Sequence, residues 1–116
     1  MSKIKIKVSF TNNDISYKKD YDAIYNKKDK IVIYKEDKNI TMKYDLRNNI
    51  LVRTTPEFTA QYNFNEEKVC TINIPDINKS IEIPININRL VNNTNSTEIE
   101  YEIEDQKVHY KLEILD

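Results

Sequence analysis

The chain has 116 residues, of which 39% are hydrophobic and 32% charged, and its formal net charge is −1. That length predicts one domain, residues 1–116, burying roughly two-thirds of the surface its unfolded form exposes. The near balance of charge excludes the basic excess of a nucleic-acid footprint. A single cysteine excludes an internal disulfide and a cysteine zinc cage, and no apolar run approaches the ~18 residues of a spanning helix.

Alternation of period two runs through almost the whole chain and predicts strands. Ile4, Ile6, Val8 and Phe10 alternate with lysines and Ser9 before a turn at Thr11–Asp14. Ile15 to Tyr25 forms a longer strand with Tyr17, Tyr21 and Tyr25 in phase, and Asn26–Asp29 turns the chain. Lys30 to Glu36 follows, then Ile40 to Leu46, then a hairpin turn at Arg47–Asn49 into Ile50–Thr55. Pro56 interrupts, because proline has no N–H for a central ladder. Phe58, Ala60, Tyr62 and Phe64 alternate cleanly, and Lys68–Ile74 ends at Pro75. Ile81, Ile83, Ile85 and Ile87 alternate with Pro84 on the outward phase, which predicts an edge or a bulge. Val91–Thr97 reads as the longest polar loop, with room for a short helical turn over Leu90–Ser96. Ile99–Ile103 and Val108–Ile114 complete the chain.

Sequential short strands with tight turns predict an all-β fold, a single antiparallel up-and-down barrel of about 8–10 strands that closes to remove its edges. Lys3, Lys5 and Lys7 on the first strand and Glu98, Glu100, Glu102 and Glu104 on a late one suggest that these two strands pair at the closure. The chain contains no glycine, so Asn and Asp are expected at positive-φ turn positions, which they tolerate better than other residues. The N-x-S/T sequons at Asn39, Asn78, Asn92 and Asn95 are chance matches in an Asn-rich chain. One cysteine and an N-terminus with no apolar leader predict a reducing, cytoplasmic setting. An outer-membrane barrel is disfavoured, since it needs longer strands and a lipid-facing apolar band.

Few residues suggest chemistry. His109 shares its phase with Lys111 and Glu113 and is expected on the outside; Cys70 shares the apolar phase of Ile72 and is expected to be a buried, inert thiol. Asp20 and Asp22 lie on one face, as solvated residues beside a turn would. No nucleophile–base pair, metal cluster or phosphate loop is present, so no catalytic site and no cofactor are expected. Arg53 is more informative: it is in phase with Leu51, and if it points inward it needs an acidic partner, for which Glu36 is the candidate. Ile31, Val32, Ile33 and Tyr34 are apolar on both phases and ask for a second cover, such as a partner or another copy of the chain.

Three stretches together resemble the YwiB-like family of bacterial calycin-type (lipocalin-like) barrels, whose function is unknown. They are Asp22-Ala23-Ile24-Tyr25, then Lys30–Glu36 with its Tyr-x-Glu ending, then Ile50-Leu51-Val52-Arg53, followed by Tyr62. Glycines that the family has near positions 23, 55 and 66 are Ala23, Thr55 and Glu66 here. The resemblance implies a calycin-like barrel. With the residue reading, it leaves a small molecule held by Tyr34, Glu36, Arg53 and Tyr62 in or at the mouth of the barrel as the first expectation. A homodimer or interaction module using the two-faced strand is the alternative, with no nucleic-acid or membrane partner in either case.

Overall fold

The structure is a computed structural model and describes residues 1–115. Ten strands run β1 (Ser2–Thr11), β2 (Ser16–Asn26), β3 (Ile31–Asp37), β4 (Ile40–Asp45), β5 (Ile50–Thr54), β6 (Thr59–Asn63), β7 (Val69–Ile74), β8 (Lys79–Asn92), β9 (Ser96–Ile103) and β10 (Gln106–Leu115). Each pairs antiparallel with its neighbours in sequence, and β10 returns to pair with β1, giving a closed up-and-down barrel. The expected architecture is therefore present, at the upper end of the expected strand number. No helix is long and apolar enough to cross a membrane among the described residues.

Closure is built on apolar pairs. Ile6 faces Ile114 and Val8 faces Leu112 across β1 and β10, and Ile6, Val8 and Leu112 are fully buried. The charge pattern works differently from the sequence expectation. β10 stands between the lysines of β1 and the glutamates of β9, so Glu98, Glu100 and Glu102 face Lys111, His109 and Lys107. Lys5 instead reaches Asp22 Oδ1 on β2 at 2.6 Å, and Lys7 is opposite both Asp20 and Glu113. The reason is connectivity: the two-residue loop Glu104-Asp105 forces β9 onto β10, and β10 carries bases of its own.

Two other details depart from the sequence reading. β8 continues to Asn92 and β9 begins at Ser96, so Val91 and Thr97 are strand residues and Leu90–Ser96 holds no helical turn. A register slip between Ile87 and Arg89 absorbs one residue and keeps Leu90 facing inward, opposite Ile99. The positive-φ residues are Lys30, Asn49, Lys68, Asn78 and Glu104, with φ between 49° and 58°. Only two of these are Asn, because hairpin geometry fixes the backbone there regardless of residue type, and the lysines and the glutamate bear the Cβ strain.

The ladder is incomplete at two seams. β2 and β3 share four residue pairs, from Ala23–Tyr34 to Asn26–Ile31; beyond them, Ser16–Asp22 pairs with β1 alone. Lys19 is on the inward phase at this parting, yet it reaches solvent, with Nζ 5.1 Å from the centre of the Tyr21 ring. β8 pairs with β7 from Lys79 to Pro84 and passes to β9 at Ile85. Pro84 thus stands at an edge, as its missing N–H requires.

The interior has an aromatic bias. All eight tyrosines lie on inward phases, and Tyr21, Tyr34, Tyr44, Tyr101 and Tyr110 are buried with Ile6, Val8, Leu51, Ile99 and Leu112 in one core. Tyr21 packs on Tyr34 with ring centres 5.0 Å apart, and Tyr44 stacks on Tyr110 at 6.0 Å.

The strain at Glu104 is testable by urea denaturation. Glu104→Gly relieves an αL residue in an exposed two-residue loop and is expected to raise the unfolding free energy by up to ~1 kcal/mol, and Glu104→Val to lower it by about 1 kcal/mol or more. A lower midpoint for the glycine variant would show that the loop holds no strain.

Candidate functional site

Arg53 reaches the interior by alternation. It follows buried Leu51 by two residues on β5 and lies opposite Met42 and Ala60, both buried. Glu36 also arrives by alternation, two residues after buried Tyr34 on β3. It sits at an irregularity: Lys35 pairs with Thr41 and Asp37 with Ile40, so the ladder skips Glu36, as is common beside sites. Arg53 Nη2 donates to Glu36 Oε1 at 3.2 Å. The two side chains are 32% and 25% exposed, so water still screens them, and neither is a fully buried charge needing full compensation.

They share a chamber of about 330 Å³ at one end of the barrel, walled by Phe10, Tyr17, Met42, Leu51, Tyr62, Tyr101 and Tyr110. Asn12 and Ile15 of the β1–β2 turn, with Ile103 and Gln106 of the β9–β10 hairpin, form its rim. Three of the four residues singled out in the sequence (Glu36, Arg53 and Tyr62) line this space. Tyr34 lies apart from the wall, its hydroxyl 2.8 Å from that of Tyr110, which does line it. Phe10, Tyr17, Tyr101 and Tyr110 were not singled out. Their inward phase was readable, but which inward residues gather at one end depends on strand register.

Burial governs the chemistry of this interior. Desolvation pushes the hydroxyls of Tyr34, Tyr44, Tyr101 and Tyr110 well above the ordinary tyrosine range. At Tyr17 it acts first, with the Glu36 charge adding to it. The Tyr44 hydroxyl is buried with no hydrogen-bond partner among the described residues; Thr97 beside it donates its own hydrogen to Asn92 Oδ1 at 2.7 Å. Cys70 is free and buried opposite Tyr62. Desolvation raises its thiol to about 11, so almost none is thiolate at neutral pH.

The remaining candidates lie elsewhere. His109 faces outward, with Nε2 2.6 Å from Glu98 Oε2, and Arg89 Nη1 is 3.4 Å from Glu98 Oε1. The hydrogen bond from His109, followed by the Arg89 charge, holds the Glu98 carboxyl below the usual range. Asp22 is an exposed partner of Lys5. No group of three or more His, Cys, Asp or Glu side chains is arranged to hold a metal ion among the described residues. A broader depression of about 880 Å³ lies on the outer wall over β1, β2 and β3, with Ile24 and Ile33 in it and Lys3, Lys5 and Lys35 around it. It is larger than the chamber, but it is an open surface whose charged groups, such as the Lys5–Asp22 pair, stand exposed in water, so the chamber is the better candidate.

No protein-family model, curated protein or solved structure matches this chain.

Two measurements test the energetics. The folded chain holds its tyrosine protons more tightly than the unfolded chain, whose tyrosines ionise near pH 10. Stability is therefore full below about pH 10 and is expected to fall as pH rises beyond it. Urea midpoints between pH 8 and 11 check this, and a flat profile would contradict it. For the ion pair, a double-mutant cycle with Arg53→Met and Glu36→Gln is expected to give a coupling of about 0.5–1 kcal/mol, the range for a solvent-screened pair.

Proposed function

We propose that the protein binds a small molecule in the chamber at the loop end of the barrel. The observation that carries this reading is the inward ion pair: Arg53 and Glu36 face a space that side chains leave unfilled. A core under selection for packing alone is better served by apolar residues at such positions, since even partial loss of water around two charges is costly. The chamber combines what ligand pockets combine. It has apolar and aromatic walls, a few convergent polar groups, and a volume at the lower end of the ~300–1,000 Å³ range. The resemblance to YwiB-like barrels adds support, because Glu36, Arg53 and Tyr62, which carry it, line this same chamber.

The homodimer reading ranks second. Its support is Ile24, 44% exposed beside half-buried Ile33 on the outside of β2 and β3. Two side chains make a patch far smaller than the ~800 Å² per partner of a stable interface. The tight tyrosine interior and the inert Cys70 offer no nucleophile with a neighbouring base, so the function proposed is binding without turnover.

NMR titration with a neutral aromatic probe, p-cresol, tests the reading. Shift changes are expected to centre on Tyr17, Tyr62, Tyr101 and Tyr110, and to vanish in Ile103→Trp, which narrows the mouth. Changes confined to the outer face around Ile24 and Ile33 would refute it, as would no chamber binding by p-cresol or by any of the amino acids, amines and acids titrated below.

A further inference from the structure

We infer that the ligand of the chamber is a small zwitterion carrying both an ammonium and a carboxylate on an apolar body, the chemistry of a free amino acid or a short betaine. This rests on the chamber being a binding site and adds the class of molecule it takes.

The first argument is the state of the ion pair. Arg53 and Glu36 meet through a single contact, Nη2 to Oε1 at 3.2 Å. A charge-assisted bond of this type closes to ~2.7–2.9 Å, and arginine prefers to grip a carboxylate with two parallel N–H groups. Guanidinium has five N–H donors and a carboxylate two accepting oxygens. Arg53 makes no second side-chain hydrogen bond among the described residues, and Glu36 Oε2 accepts none. The pair is therefore loosely made, with unused donors on one member and an unused oxygen on the other, both beside the chamber. A ligand carboxylate can take the free guanidinium edge while a ligand ammonium takes the free oxygen.

The second argument is the field at the entrance. Alternate loops of an up-and-down barrel lie at the same end, so the β1–β2, β3–β4, β5–β6, β7–β8 and β9–β10 connections all lie at the chamber's end of the barrel. These carry Asp14, Glu57, Asp76, Glu104 and Asp105 against Lys38 alone. The connections at the other end carry Lys27, Lys28, Lys30, Arg47 and Lys68 against three carboxylates. A mouth of one sign concentrates ligands of the other sign and repels its own. A simple anion suited to Arg53 meets this acidic rim and then Glu36. A simple cation passes the rim but is left facing Arg53. A molecule with both charges passes at no net electrostatic cost and satisfies both residues.

The third argument is the wall. Tyr17, Tyr62, Tyr101 and Tyr110 line the same space, and tyrosine rings attract an ammonium by their quadrupole as well as packing an apolar body. A chamber of about 330 Å³ admits an amino acid with a medium-sized side chain.

Calorimetric titration of the intact protein tests the class. The probes are L-phenylalanine and L-leucine, the matched cations phenethylamine and isoamylamine, the matched anions 3-phenylpropionate and 4-methylpentanoate, and neutral p-cresol. At least one amino acid is expected to bind tenfold or more tightly than its cationic and anionic analogues. Arg53→Gln is expected to reduce that amino acid to the affinity of its amine without weakening the amine itself. Glu36→Gln should reduce it to the affinity of the matched acid, with circular dichroism showing both variants folded. Equal or tighter binding of a singly charged analogue overturns the class, as does binding of p-cresol in the chamber with neither amino acid bound; in both cases the chamber remains a binding site. If none of the seven probes binds, the binding reading itself fails and the class with it.

Discussion

A ten-stranded barrel encloses more than side chains can easily fill. Eight strands give an interior that side chains just occupy, and diameter grows with strand number. This chain meets that constraint with tyrosine. All eight tyrosines point inward, and the rings of Tyr21 and Tyr34, Tyr44 and Tyr110, and Tyr62 and Tyr101 lie against one another. Tyrosine supplies the volume that valine or isoleucine would not, but each ring brings a hydroxyl into the core. One pair of hydroxyls satisfies itself, Tyr34 with Tyr110, and Tyr44 has no hydrogen-bond partner among the described residues. In a wide barrel filled this way, the chamber lies where the filling stops.

The charged pair belongs to this boundary. Deeper in the barrel, Arg53 and Glu36 would lose their water and need a complete set of hydrogen bonds. At the rim they keep partial hydration, which is why a single 3.2 Å contact suffices. The bulge at Glu36 and the parting of β2 from β3 both occur on this side of the barrel. Ladder hydrogen bonds are given up where the site is built, while the β1–β10 closure keeps its full register.

The outer wall carries the opposite logic. Charges of both signs alternate from strand to strand: Asp20 and Asp22 on β2, Lys5 and Lys7 on β1, Lys107 and Lys111 on β10, and Glu98 and Glu102 on β9. Each contact is exposed and individually weak. Together they specify register, because a one-residue slip would turn every charge inward.

The sequence by itself determined the strands, their inward faces and the fact of closure, because a period-two pattern fixes which side of each strand meets the core. It also made Arg53 conspicuous, as a cation in phase with Leu51, and Glu36 its most plausible partner. Only the tertiary structure decided that β10 rather than β9 closes on β1, since charge complementarity was satisfied by either and the short Glu104-Asp105 loop chose between them. The bulge at Glu36, the strand continuing through Val91, and positive φ at Lys30, Lys68 and Glu104 were likewise invisible, because register and hairpin geometry override local preference. The chamber itself was the least legible. Tyr17, Tyr62 and Tyr101 come from strands far apart in sequence, and only the register of the closed barrel brings them, with Tyr110, to one end.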